Sequence, residues 1–122
     1  MITISIFIAD PLKLIVTLKG EAKEAQSTRA GIYVLGPKPV NGKSHWLKDS
    51  GTDAIWFDNK NGFWNIGNED SLGTAQAGIV SYENVTSPLK ATTWYYSNNG
   101  WTKSDDILVD TFVEPGTVPT II

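Results

Sequence analysis

Apolar and polar residues alternate along this chain in short runs, each closed by a turn residue. In Trp64-Asn65-Ile66 and Trp94-Tyr95-Tyr96 every second side chain is apolar or aromatic, the period of a strand with one face inward. The strands this pattern predicts are Ile2–Ile8, Leu12–Leu18, Ile32–Leu35, Ser44–Leu47, Ala54–Asp58, Phe63–Gly67, Gly78–Tyr82, Thr93–Ser97, Trp101–Lys103 and Ile107–Phe112. Helical periodicity is nearly absent. Glu21–Gln26 holds good helix formers but no apolar stripe, so it reads as a polar connection or one loose turn.

The turns sharpen this picture. Asn61-Gly62 and Asn99-Gly100 supply the positive backbone dihedrals of tight hairpins, and Asn41-Gly42 and Ser50-Gly51 mark two more turns. The first two join Trp56 to Trp64 and Trp94 to Trp101, which predicts aromatic pairs on facing strands. In Ala54–Asp58, Trp56 shares a face with Ala54, while Ile55 and Phe57 take the other. Trp64 and Ile66 share a face from which Asn65 points away, and Trp94 lies with Tyr96, opposite Tyr95. Bulky groups on both faces of short strands predict an all-β fold, an antiparallel β-sandwich or flattened barrel of short hairpins.

A length of 122 residues suits one domain able to bury a core without staples. Its organisation reads as an N-terminal strand or arm over 1–11, a β-rich core over 12–112 and a tail over 113–122. Met1–Ala9 has the apolar stretch of a short signal core but no basic leader, so a signal remnant and a first strand are both compatible with it. A net charge of -3, with ten scattered Lys and Arg, argues against nucleic acid and against anionic membrane surfaces. No run approaches the ~20 apolar residues of a spanning helix. With no cysteine, disulfides, thiol catalysis and thiolate metal sites are excluded. A low-charge surface rich in Asn, Ser and Thr leans towards a secreted or surface-displayed protein. Asn84-Val85-Thr86 forms a glycosylation sequon there.

The strings Gly31-Ile32-Tyr33, Asn41-Gly42-Lys43, Ala54-Ile55-Trp56, Trp64-Asn65-Ile66-Gly67, Ala77-Gly78-Ile79, Trp94-Tyr95-Tyr96 and Asn99-Gly100-Trp101 carry a likeness over roughly residues 14–112. The chain resembles a small tryptophan-rich module of predicted secreted or surface proteins of invertebrates and protists, often present in several copies. That resemblance implies a β-rich extracellular module and no activity, and it transfers no functional residues.

Candidate chemistry is sparse. The carboxylates Asp105-Asp106, Glu69-Asp70 and the pair Asp49 and Asp53 read as solvated turn residues rather than a glycosidase pair. Asp58-Asn59-Lys60-Asn61-Gly62 puts Lys60 where a calcium loop needs an oxygen ligand. His45, the sole histidine, has neither a zinc partner set nor a nucleophile motif and is expected at a strand edge. No cofactor, metal or catalytic residue is therefore expected, and the chain reads as non-enzymatic. Two roles survive. Charge-free ends (Ile2, Ile4, Ile6, Ile8, Val118, Ile121, Ile122) would let copies of the chain associate by strand addition, as a structural or adhesive module and a homo-oligomer. Alternatively, Trp46, Tyr95 and Trp101 with Asn98 and Asn99 would form an aromatic platform for a glycan, with Trp56, Trp64 and Trp94 left to fill the core.

Overall fold

The computed structural model describes residues 10–115. Within that range every predicted strand is present: β1 (Lys13–Leu18), β2 (Gly31–Leu35), β3 (Trp46–Lys48), β4 (Asp53–Phe57), β5 (Trp64–Asn68), β6 (Ile79–Ser81), β7 (Trp94–Ser97), β8 (Trp101–Ser104) and β9 (Ile107–Thr111). They form one antiparallel sheet in the order β8-β7-β6-β5-β4-β3-β2-β1-β9. The first eight meander, each pairing with its neighbour in sequence, and β9 returns to pair with β1. The two ends of the sheet, β8 and β9, are thus consecutive in the chain, joined through Asp105 and Asp106. From Ser104 to Ile107 the chain spans at most about 11 Å. A sheet whose ends are tied so closely must curl, so the fold is all-β with a nearly closed barrel.

Alternation fills its interior. Leu14, Val16 and Leu18 of β1 face Tyr33, Trp46, Ile55, Phe57, Trp64, Ile66, Ile79, Trp94 and Tyr96 from the other strands, and Ile107 and Val109 of β9 complete the core. A 3-10 turn at Pro88–Lys90 packs beside β9, with Leu89 against the core.

The stretch expected to be a polar connection or one loose turn is a short helix, α1 (Gly20–Ala25). It docks without an apolar stripe because small residues suffice: Ala22 is buried, and Ala25 packs against the core. Gln26, just past its end, donates from Nε2 to the Ser97 carbonyl at 2.9 Å.

The predicted tryptophan pairs are corrected by loop length. The β4–β5 connection runs from Asp58 to Phe63, which sets Phe57 opposite Trp64 and Trp56 opposite Asn65. Trp64 therefore meets Phe57 edge-on inside the barrel, ring centroids 5.5 Å apart, while Trp56 is on the outer face. Trp56 is nonetheless fully buried, because its indole N–H donates to the Thr74 carbonyl at 2.8 Å under an overlying loop. The Asn98–Gly100 loop likewise sets Trp101 opposite Ser97 and leaves Trp94 opposite Ser104. Of the turns, Asn41 (φ 55°) and Gly42 (φ 78°) make the two-residue hairpin with both central dihedrals positive. Val40 and Lys43 exchange backbone hydrogen bonds across it.

Candidate functional site

The predicted aromatic platform is not assembled as expected. Trp46 is 1% exposed. Its register opposite Leu35 and Ile55 turns it inward, beside Trp64 at 6.3 Å, and its N–H donates to the Pro11 carbonyl at 2.9 Å. It is a core residue, and its expectation as a surface ring is overturned. Trp101 is 45% exposed on the outer face of β8, beside the exposed turn residues Asn98 and Asn99. Tyr95, on the outer face of β7, is half-buried.

Sequence reasoning left two neighbours out. Phe63, Tyr82 and Tyr95 form an outward row across the β5, β6 and β7 ends of the sheet. The Phe63 and Tyr82 rings are 5.0 Å apart at 82°, and those of Tyr82 and Tyr95 are 4.6 Å apart at 58°. Both contacts are tilted or edge-on, so the rings pack on each other rather than form one flat shelf. Tyr82 is the most exposed of the three, at 43%. Strand parity carries the signal: Ile79 and Ser81 point in, so Val80 and Tyr82 point out.

Tyr82 opens a connection that is pinned on both sides of Asn84. The Glu83 carboxylate accepts hydrogen bonds from the Ser81 hydroxyl, the Thr92 hydroxyl and the backbone N–H groups of Thr92 and Thr93. Burial alone would raise its pKa, but these donors hold it below the ordinary 4.5. Val85 is held by its carbonyl, which accepts from the Trp64 indole at 2.8 Å. Asn84 and Thr86 are exposed.

The charged candidates divide. Asp105, Asp106, Glu69, Asp70 and Asp49 are exposed, as read from the sequence. Asp53 differs from that expectation: at the first position of β4 it is 3% exposed and pairs with Arg29, with Lys48 at 3.9 Å. Lys48 Nζ also donates to the Thr28 carbonyl. Register causes this: the β3–β4 pairing brings Lys48 opposite Asp53 at the turn end of the hairpin. Asp58 is buried as well, accepting from the Asn61 backbone N–H at 2.7 Å and from Asn65 Nδ2 at 2.7 Å. Both carboxylate oxygens thus serve the hairpin turn.

His45 stands immediately before β3 and is buried. Its ring lies over Gly36, where a Cβ would come within 2.2 Å of Nε2. Its Nδ1 has no hydrogen-bond partner among the described residues. Burial pushes its pKa below 6.5, a backbone hydrogen bond at Lys38 opposing the shift.

The sheet ends differ from the rest of the barrel. The Phe112 N–H donates to the Lys13 carbonyl and the Lys19 N–H to the Asp106 carbonyl, which fixes Leu108 and Asp110 as facing β1. The backbone groups of Ile107, Val109 and Thr111 therefore face away from the sheet. At the other end, the Ser97 N–H donates to the Gly78 carbonyl, so β7 pairs with β8 through Trp94 and Tyr96. This leaves the backbone of Trp101 and Lys103 facing outward. Among the described residues neither edge has a partner strand.

No protein-family model, curated protein or solved structure matches the chain. Among the described residues no three His, Cys, Asp or Glu gather as a metal site, and no helix is long and apolar enough to cross a membrane. The expected assembly residues Ile2, Ile4, Ile6, Ile8, Val118, Ile121 and Ile122 lie outside the described residues.

Proposed function

We propose that this protein is a non-enzymatic extracellular structural or adhesive module whose copies associate by adding a terminal strand to an open sheet edge. The observation that carries this reading is the pair of edges, β8 and β9, which have no partner strand among the described residues at the two ends of one sheet. Outward-facing N–H and C=O groups on an edge are a template for an extended segment from another chain. Beside the β9 edge, Leu108 is 57% exposed and offers apolar contact to an incoming strand. The charge-free segments containing Ile2–Ile8 and Val118–Ile122 have the composition of such strands. Native mass measurement tests it. The full chain should form concentration-dependent oligomers, and removing residues 1–9 should return it to a folded monomer. Lys103→Pro, which removes an outward N–H from an exposed position, reports whether the β8 edge takes part. A chain that stays monomeric at high concentration would refute the proposal.

A second reading is favoured by the exposed ring of Trp101 beside Asn98 and Asn99. A sugar stacking on Trp101, with the two amides orienting its hydroxyls, would make the β7–β8 hairpin a glycan-binding tip. Trp101→Ala should then abolish binding on a glycan array while leaving melting temperature and assembly unchanged. Wild-type protein that binds no glycan on the array removes this reading.

A further inference from the structure

We infer that Asn84 is an N-glycosylation site whose first sugar stacks on the exposed ring of Tyr82. This inference rests on the extracellular placement proposed above. The sequon needs an accessible Asn amide and a hydroxyl two residues on, and both Asn84 and Thr86 are exposed. The aromatic partner lies two residues away along the chain and beside the same β4–β5 connection. Tyr82 packs edge-on against Phe63, 5.0 Å between centroids, while Asn84 Nδ2 lies 3.5 Å from where a Cβ on Gly62 would stand. Two consecutive residues of the β4–β5 connection, Gly62 and Phe63, thus lie beside Asn84 and Tyr82 respectively. Glu83 and Val85 are tied down by their hydrogen bonds, so the chain presents Asn84 from a fixed loop.

The covalent step takes a lipid-linked oligosaccharyl diphosphate as co-reactant. The Asn84 amide nitrogen attacks the anomeric carbon, the C–N bond forms, the C–O bond to the diphosphate breaks, and the amide proton leaves with the departing diphosphate. The attached N-acetylhexosamine then covers Tyr82 with the apolar face of its ring, removing from water part of the 43% of that residue that is otherwise exposed. The outward aromatic row is in this way occupied by a sugar the chain itself carries, and the β8 and β9 edges stay free.

The test is expression of the full chain through a eukaryotic secretory pathway. Wild type should carry a glycan that a peptide amidase removes and that Asn84→Gln and Thr86→Ala both abolish. With the glycan trimmed to its first sugar, the melting temperature should exceed that of the deglycosylated chain by about 2–5 °C. Tyr82→Ser should lose that increment while keeping the glycan. Independently of stability, the N-acetyl methyl protons should show a ring-current upfield shift that Tyr82→Ser removes. An unmodified Asn84, or a sugar whose increment and shift survive Tyr82→Ser, overturns the inference. Native mass on the same samples reads assembly separately, so its failure and that of the glycan are distinguishable.

Discussion

The indoles of Trp46, Trp56 and Trp64 donate to the carbonyls of Pro11, Thr74 and Val85, so each of these buried rings also ties down a loop lying over the barrel. A polar atom on a large apolar body makes this economical, since the N–H must find a partner once buried. His45 shows the opposite condition, a buried ring nitrogen without a partner among the described residues. Its folded-state pKa lies below 6.5, mainly through burial. As pH falls through the ordinary histidine range, the unfolded chain takes up a proton that the folded chain refuses. The stabilising difference is therefore complete above about pH 6.5 and lost as pH falls towards the lower folded value. Melting temperature should decline between about pH 7 and pH 5, and His45→Asn should flatten that decline. Equal slopes in the two proteins would show that His45 is not its source. The burial of Trp56, Trp64 and Trp94 was legible in the sequence. That of Trp46 was not, because a strand of three residues offers too little alternation to tell its faces apart.

Strands were the most legible elements, since period-two runs bounded by Asn-Gly and Ser-Gly mark them directly. Register was not legible, because it depends on connection length, and one residue more or less reverses every face. That is how Trp56 and Trp64 come to point to opposite sides of one hairpin. The same hairpin carries a glycine with a packing role. Gly67 lies beneath the loop that covers Trp56, and a Cβ there would stand 3.0 Å from Ala77 Cα and 3.1 Å from Trp56 Cη2. Backbone on one side and a fully buried indole on the other leave little room to yield. Gly67→Ala should therefore destabilise the domain by about 1–3 kcal/mol. Urea unfolding followed by tryptophan fluorescence measures this, and an unchanged midpoint would mean that the covering loop gives way freely. The partnerless edges were equally hidden. Ile107–Phe112 reads as a strand, but nothing local says that it crosses back to β1.

That crossing defines the molecule. β9 pairs with β1 from the far end of the chain, so the barrel depends on a contact of very high sequence separation, and it should fold on the millisecond-to-second scale of sheet topologies. The Asp105-Asp106 link holds the β8 and β9 edges near each other without a ladder between them. At the seam where this two-residue link joins them, each edge partly shields the other from chance pairing with other chains. On the proposed mode of assembly, the link would bear more on association than on stability. Inserting Gly-Ser-Gly-Ser between Asp105 and Asp106 lengthens a loop whose closure penalty grows only logarithmically, by about 0.6 kcal/mol for each doubling. Because β9 keeps its pairing to β1, the inserted chain should melt within a few degrees of the parent. Its edges are freer to part, so a larger oligomeric fraction should appear by native mass at equal concentration. If the seam has no such role, the oligomeric fraction will be unchanged. If β8–β9 proximity is itself a pillar of the fold, melting temperature will fall well beyond the loop penalty. A rise in association without loss of stability would separate the module's folding from its assembly and locate the latter at the seam.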